Sequence, residues 1–211
     1  MKLNPIDLSL YLVLDPDLCG SPAEMVRTAR LAAENGATVV QLRAPKWKKR
    51  QWLETARELK AVLAPFGVPL IINDQVDIAL AVDAEGVHVG QADLPVAETR
   101  RLIGPHKILG VSVSNAAELA AVPDGVDYVG IGPVYPTGTK LDAAAETGLP
   151  LFAEMVAAAR WPVVAIGGIN ADNCAPLVRA GAKGVAVVSA ICGQGDPGRA
   201  TFLLLEKIRA D

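Results

Sequence analysis

The sequence predicts an α/β protein, a single (β/α)8 TIM barrel spanning residues 1–211. Three observations predict it. Eight short apolar runs alternate with stretches that carry helix start and stop signals, and such alternation implies a parallel sheet. The 211 residues divide into units of about 26, which suits eight units of a barrel at the small end of its usual size. The chain also resembles itself weakly. Glu34-Asn35-Gly36-Ala37-Thr38-Val39-Val40 and Arg179-Ala180-Gly181-Ala182-Lys183-Gly184-Val185 both end a helix on glycine and enter an apolar strand. An open doubly wound sheet is the runner-up, and it lacks the GxGxxG fingerprint after the first strand.

The first strand is expected at residues 8–14, ended by Asp15-Pro16-Asp17. Ser21 can cap the next helix, Pro22 suits its first turn, Glu24 complements its dipole and Asn35-Gly36 stops it. The second strand is expected at residues 38–42, and a helix at 47–63 is closed by Pro65 and Pro69. Strand three, residues 70–72, ends on Asn73-Asp74 before a short helix at 76–82. Strand four, residues 86–89, leads through Gly90-Gln91-Ala92-Asp93 to a helix at 95–103. Strand five, 108–111, ends at Ser112, with a helix at 116–121. Strand six, 128–132, opens a long loop before a helix at 149–159. Strand seven, 162–166, ends in Gly167-Gly168, with a helix at 172–180. Strand eight, 184–188, ends at Ser189, and the last helix covers 197–209.

Composition sets the bounds. The chain is 51% hydrophobic with few aromatics, which predicts a core of Val, Ile, Leu and Ala. A net charge of −3 gives no global pull toward nucleic acid or anionic lipid. Three widely spaced cysteines without a CxxC argue against a disulfide framework or a zinc site and favour a reducing compartment. The sequence shows no secretory signal and no run of membrane-spanning length, so a cytoplasmic protein is expected. A homo-oligomer stays open, since nothing assigns Trp47, Trp52 and Trp161 to core or contact roles.

In barrels of this kind the active site lies at the C-terminal ends of the strands. The predicted strand ends deliver Gln41 and Arg43, Asn73-Asp74, Asp93, Ser112, the residues 137–140, Gly167-Gly168 and Ser189 to one rim. Asp74 and Asp93 leave neighbouring strands, and two converging carboxylates suit Mg2+, which keeps waters and substrate phosphates in its shell. The bland alternative is that each caps the following helix. Arg43 suits a bidentate phosphate contact, and Asn73 can present a neutral amide to a phosphate oxygen. Gln41 can read the edge of a heterocycle or simply fill a polar place in the barrel mouth. Thr137, Thr139 and Lys140 place hydroxyls and a compact cation in the long loop. Gly167-Gly168 and Ser189 fall where barrels often hold a phosphate by backbone N–H groups. His88, inside strand four, is expected as a packed, hydrogen-bonded core histidine, and His106 at the surface. Two phosphate sites on one rim suggest the joining or exchange of two phosphorylated molecules.

These residues resemble the thiamine-phosphate synthase family. The likeness runs from Tyr11 to about Ile208 and rests on Gln41-Leu42-Arg43, Asn73-Asp74, His88-Val89-Gly90-Gln91-Ala92-Asp93, Gly110-Val111-Ser112 and Ile166-Gly167-Gly168-Ile169. Its most specific part is Gly132-Pro133-Val134-Tyr135-Pro136-Thr137-Gly138-Thr139-Lys140, with Val188-Ser189-Ala190-Ile191 near the end. The resemblance implies a transferase that joins hydroxymethylpyrimidine diphosphate to thiazole phosphate and releases diphosphate. By position, Asp74 and Asp93 would hold Mg2+, and Arg43, Asn73 and Lys140 the diphosphate. Gln41 would contact the pyrimidine and Ser112 the reacting groups. Thr137 and Thr139 would line the thiazole side, with Gly168, Val188 and Ser189 around its phosphate.

One departure stands out. The family usually has Glu-Lys after the arginine, whereas this chain has Ala44-Pro45 and then Lys46, so a diphosphate-binding lysine is missing from its usual place. Two other readings are a thiazole tautomerase, which carries a histidine where this chain has Pro133, and a non-catalytic phosphate-binding regulator, which the Ala44-Pro45 change favours.

Overall fold

A computed structural model describes residues 6–138 and 146–210. Eight parallel strands close a barrel in chain order, each paired with its neighbours and the last with the first. The strands are β1 (Leu10–Leu14), β2 (Val39–Leu42), β3 (Leu70–Asn73), β4 (Gly86–Val89), β5 (Ile108–Val113), β6 (Tyr128–Ile131), β7 (Val163–Ile166) and β8 (Gly184–Val187). The helices are α1 (Pro16–Cys19), α2 (Pro22–Glu34), α3 (Lys49–Leu63), α4 (Val76–Val82), α5 (Val96–Ile103), α6 (Ala116–Ala121), α7 (Gly148–Ala158), α8 (Ala175–Arg179) and α9 (Pro197–Arg209).

The predicted alternation and all eight strands are present. Two differences have local causes. Asp15-Pro16-Asp17 does more than end β1: the Asp15 carboxylate accepts from the Leu18 amide at 3.0 Å and starts the short α1. Strand β5 also runs through Ser112 to Val113, because Ser112 and Val113 stay in register with Gly130 and Ile131 of β6.

Side chains on a strand alternate faces, and here the two faces are two cores. Leu10, Leu12 and Leu14, with Val40, Leu42, Val87, Val129 and Ala165, belong to the large cluster shared with the helices. Tyr11, Val13, Val39, Ile71, Tyr128, Val164 and Ala186 make the smaller cluster inside the barrel. A fully buried Leu or Val contributes roughly 1.5–3 kcal/mol, so the outer layer carries most of the hydrophobic stabilisation.

Closure leaves little room between neighbouring strands. A Cβ on Gly184 would lie 1.9 Å from the Leu8 carbonyl oxygen, and one on Gly132 would lie 2.0 Å from that of Ile166. Both obstacles are backbone and cannot swing aside. Gly184→Ala is therefore expected to lose more than about 2 kcal/mol, read as a lower urea midpoint; an unchanged midpoint would show that the β8–β1 seam yields.

Candidate active site

The inward parity of the strands aims a polar set at the C-terminal rim. Gln41, two residues beyond Val39, is 4% exposed, and its Nε2 donates to the Tyr11 hydroxyl at 2.7 Å. The Tyr11 and Tyr128 hydroxyls are 2.8 Å apart. His88 lies between Tyr128 and Ser112, with Nδ1 at 2.9 Å from the Tyr128 hydroxyl and Nε2 at 2.8 Å from Ser112 Oγ. Gly110 makes room for this layer, since a Cβ there would lie 2.2 Å from Tyr128 Cζ and 2.5 Å from His88 Nδ1. His88 is thus a packed and hydrogen-bonded interior residue, and His106 is exposed.

Asp74 and Asp93 meet at the ends of β3 and β4, their carboxyls within hydrogen-bond reach of one another. Neither caps a helix: α4 is preceded by Gln75 and α5 by Pro95, and neither helix has a side-chain cap. Asp93 Oδ2 instead accepts from the Gly90 amide at 2.8 Å, and the Asn73 side chain donates to Asp74 Oδ2 at 2.5 Å. Asp74 has φ of 58°, a left-handed conformation that aspartate enters more readily than most residues. Its amide donates to the His88 carbonyl at 2.9 Å, so the strained residue is pinned to β4. Burial first, then the hydrogen bond and charge of Asp93, push the Asp74 carboxyl up to about 7 against the opposing pull of Asn73 and Arg43. Arg43 is half-buried, with Nη1 3.9 Å from Asp15 Oδ2.

Among the described residues no group of three or more His, Cys, Asp or Glu side chains is placed to hold a metal. The donor set here is a carboxylate pair. Burial and the neighbouring carboxyl hold Asp74 above the ordinary carboxylate range, and such a pair fits a hard ion whose remaining ligands are water and phosphate.

The other rim residues lie on two sides. Gly167 and Gly168 pack under the loop after β6: added Cβ atoms would lie 2.5 Å from Pro133 Cα and 2.5 Å from the Pro136 carbonyl oxygen. The Val134 and Tyr135 amides donate to the Ile166 and Gly167 carbonyls at 2.9 and 3.1 Å, which brings Thr137 to the β7 side of the rim. After β8, Ile191 and Cys192 both donate back to the Val188 carbonyl, forming a tight turn that begins at exposed Ser189. Thr139 and Lys140 lie outside the described residues. Lys46, one residue past the missing lysine, sits fully at the surface with Nζ 2.7 Å from Asp17. Tyr11 and Tyr128 carry no motif of their own. The parity of Tyr11 with Gln41 across paired strands, and the glycine opposite Tyr128, were the signals that could have found them.

A closed parallel barrel with carboxylates, an arginine and amides gathered on its C-terminal rim is the architecture of barrel enzymes. The model for the family described as thiamine monophosphate synthase matches residues 10–191. A thiamine-phosphate synthase of Laribacter hongkongensis is 55% identical over 196 residues, 93% of either chain. One of Xanthobacter autotrophicus is 50% identical over 208 residues, 98% of either chain. The solved thiamine phosphate pyrophosphorylase of Pyrococcus furiosus superposes with a TM-score of 0.87 at 34% identity, covering 98% of both chains. A 3-hexulose-6-phosphate synthase, with a TM-score of 0.69 and 19% identity, shares the fold. The chain belongs to the thiamine monophosphate synthase family, whose enzymes are transferases.

The Asp74 carboxyl gives a pH signature. Its folded value near 7 exceeds the ordinary 3.8, so the folded protein keeps a proton that the unfolded chain releases. This group's contribution to stability is therefore present at low pH and is lost as pH rises toward and through 7. In chelator, Asp74→Asn should be more stable than the parent at pH 8 by about 1–2 kcal/mol after allowance for solvent screening, with the difference shrinking by pH 5. Thermal unfolding of both proteins across that range checks it. A parent and variant that run parallel would mean the two carboxyls do not share a site.

Proposed function

We propose that this chain is a thiamine-phosphate synthase, joining hydroxymethylpyrimidine diphosphate to thiazole phosphate to give thiamine phosphate and free diphosphate. The observation that carries the reading is the meeting of Asp74 and Asp93 beside Arg43 and Asn73, at the mouth of a barrel from this family. Residues 1–211 act as one barrel domain in the cytoplasm; no helix among the described residues is long and apolar enough to cross a membrane.

Asp74 and Asp93 would hold Mg2+, which would supply positive charge against the leaving diphosphate. Arg43 and Asn73 orient the diphosphate oxygens, and Lys140 adds a cation from the loop after β6. Gln41 contacts the pyrimidine, and Ser112, held by His88, contacts the reacting groups. Gly168, Val188 and Ser189 receive the phosphate of the thiazole, with Thr137 and Thr139 along its ring. The pyrimidinylmethyl carbon loses diphosphate, its cation-like charge is spread over the electron-rich aminopyrimidine, and the thiazole nitrogen attacks it. The C–O bond breaks, a C–N bond forms, and no general base is needed. With no lysine at position 45, diphosphate binding leans on Arg43 and Lys140; Lys46, one residue later, lies at the surface with Nζ 2.7 Å from Asp17.

The test is a coupling assay with both substrates. Product should form with Mg2+ and not in chelator, and Asp93→Ala should lower kcat/KM by about 100-fold or more with its unfolding curve unchanged. Ligand binding without product would instead favour the regulator reading that Ala44-Pro45 suggests.

A further inference from the structure

The hydrogen-bonded chain inside the barrel has a direction. Both phenols are buried, and burial raises both above the ordinary tyrosine value, so each keeps its one proton. At one end Gln41 donates its N–H to the Tyr11 oxygen. The partner available for the proton of Tyr11 is then the Tyr128 oxygen at 2.8 Å, and for that of Tyr128 it is His88 Nδ1 at 2.9 Å. A neutral imidazole that accepts at Nδ1 carries its hydrogen on Nε2, which donates to Ser112 Oγ at 2.8 Å. The Ser112 proton is left for the barrel mouth. No side-chain polar atom among the described residues is both sealed from solvent and unpaired, so the Gln41 carbonyl oxygen, on the other side of its amide, keeps some contact with solvent. Reversing this order would require a flipped amide, two rotated hydroxyls and the other tautomer together. Any one of these alone sets donor against donor or acceptor against acceptor in a buried place.

We propose that Tyr11, Tyr128 and His88 are positioning residues that present the Gln41 carbonyl oxygen and the Ser112 hydroxyl proton to the substrate, and so select a pyrimidine with an exocyclic amine over its oxo counterpart. An amine donates to the Gln41 oxygen, whereas an oxo group would set acceptor against acceptor. A site that leaves a buried polar group unpaired rejects the wrong ligand strongly. The inference rests on the pyrimidine role given to Gln41 above. The backbone is shaped for the chain as well: Gly110 and Gly130 face the His88 ring, where added Cβ atoms would lie 2.5 and 3.4 Å from it.

Two arms test it. The chain has only His88 and His106, so 15N-imidazole NMR of the full-length protein at pH 8, with His106→Gln for assignment, reads the His88 tautomer without any substrate. The expected result is an Nε2–H tautomer in the parent and a tautomer mixture in Tyr128→Phe. An Nδ1–H tautomer in the parent overturns the proposed order. In the second arm the oxo analogue of the pyrimidine diphosphate is assayed as a competitive inhibitor. Tyr11→Phe should raise KM for the amino substrate more than it lowers kcat. It should also narrow the gap between KM and the inhibitor's Ki by about tenfold or more. An unchanged gap in a folded variant overturns the selection. A parent enzyme that turns over neither compound removes the synthase reading and the selection with it, while the imidazole spectrum still decides the direction of the chain.

Discussion

Closure of eight strands into one ring imposes the constraint on which everything else rests: the inside admits every second residue and no more. Each inward position must suit the taper of the barrel, and each outward one must suit the helices. Tyr11, Gln41, His88, Ser112 and Tyr128 all have inward parity, and their side chains join in one hydrogen-bonded chain inside the barrel. A slip of one residue in β2 would send Gln41 into the helix layer and Leu42 into the mouth. The polar site is therefore specified by the same hydrogen-bond ladder that holds the sheet together. Glycine serves that ladder where two side chains compete for one space, as at Gly110 between His88 and Tyr128.

Charge is arranged with the opposite logic. The apolar barrel wall stabilises the fold, and the rim spends part of that stability on two acids held close together. Asp74 meets Asp93 from a left-handed backbone, and burial makes its charge costly. Strain and repulsion of this kind persist where the surrounding structure enforces them, and they cluster at functional sites. Across the mouth, the glycine pair after β7 lets the loop after β6 lie flat on the barrel. Together the acids and the glycines divide the rim into a cation-seeking side and a side with open backbone.

Much of the fold was legible because its signals are local. α4, β4, α6 and α9 begin and end where pattern and punctuation place them. Proline at the N-terminus of α2 and α9, and Ser21 as a cap, are short-range chemistry that a sequence displays directly. The site was legible in part. Arg43, Asn73, Asp74, Asp93 and Ser112 lie at strand ends, where barrel topology alone makes a polar residue conspicuous. Tyr11 and Tyr128 are 117 positions apart and look like ordinary strand aromatics until the barrel brings their hydroxyls together. The short α1 escaped because Asp15-Pro16-Asp17 is equally good as a turn. The fate of Lys46 depends on Asp17, a neighbour supplied by that same unforeseen element.

The seam between the last strand and the first has a further consequence for synthesis on the ribosome. β1 is complete at Leu14, yet one of its edges bonds only to β8, at Leu10–Val185, Tyr11–Ala186 and Leu12–Val187. At elongation rates of about 5–20 residues per second, those partners emerge on the order of ten seconds or more after β1. Throughout that interval a largely apolar strand presents an open edge, the surface that chaperones cover and that unprotected chains use to aggregate. The first strand of the sheet to be made is thus the one that waits for the last strand before both of its edges are paired.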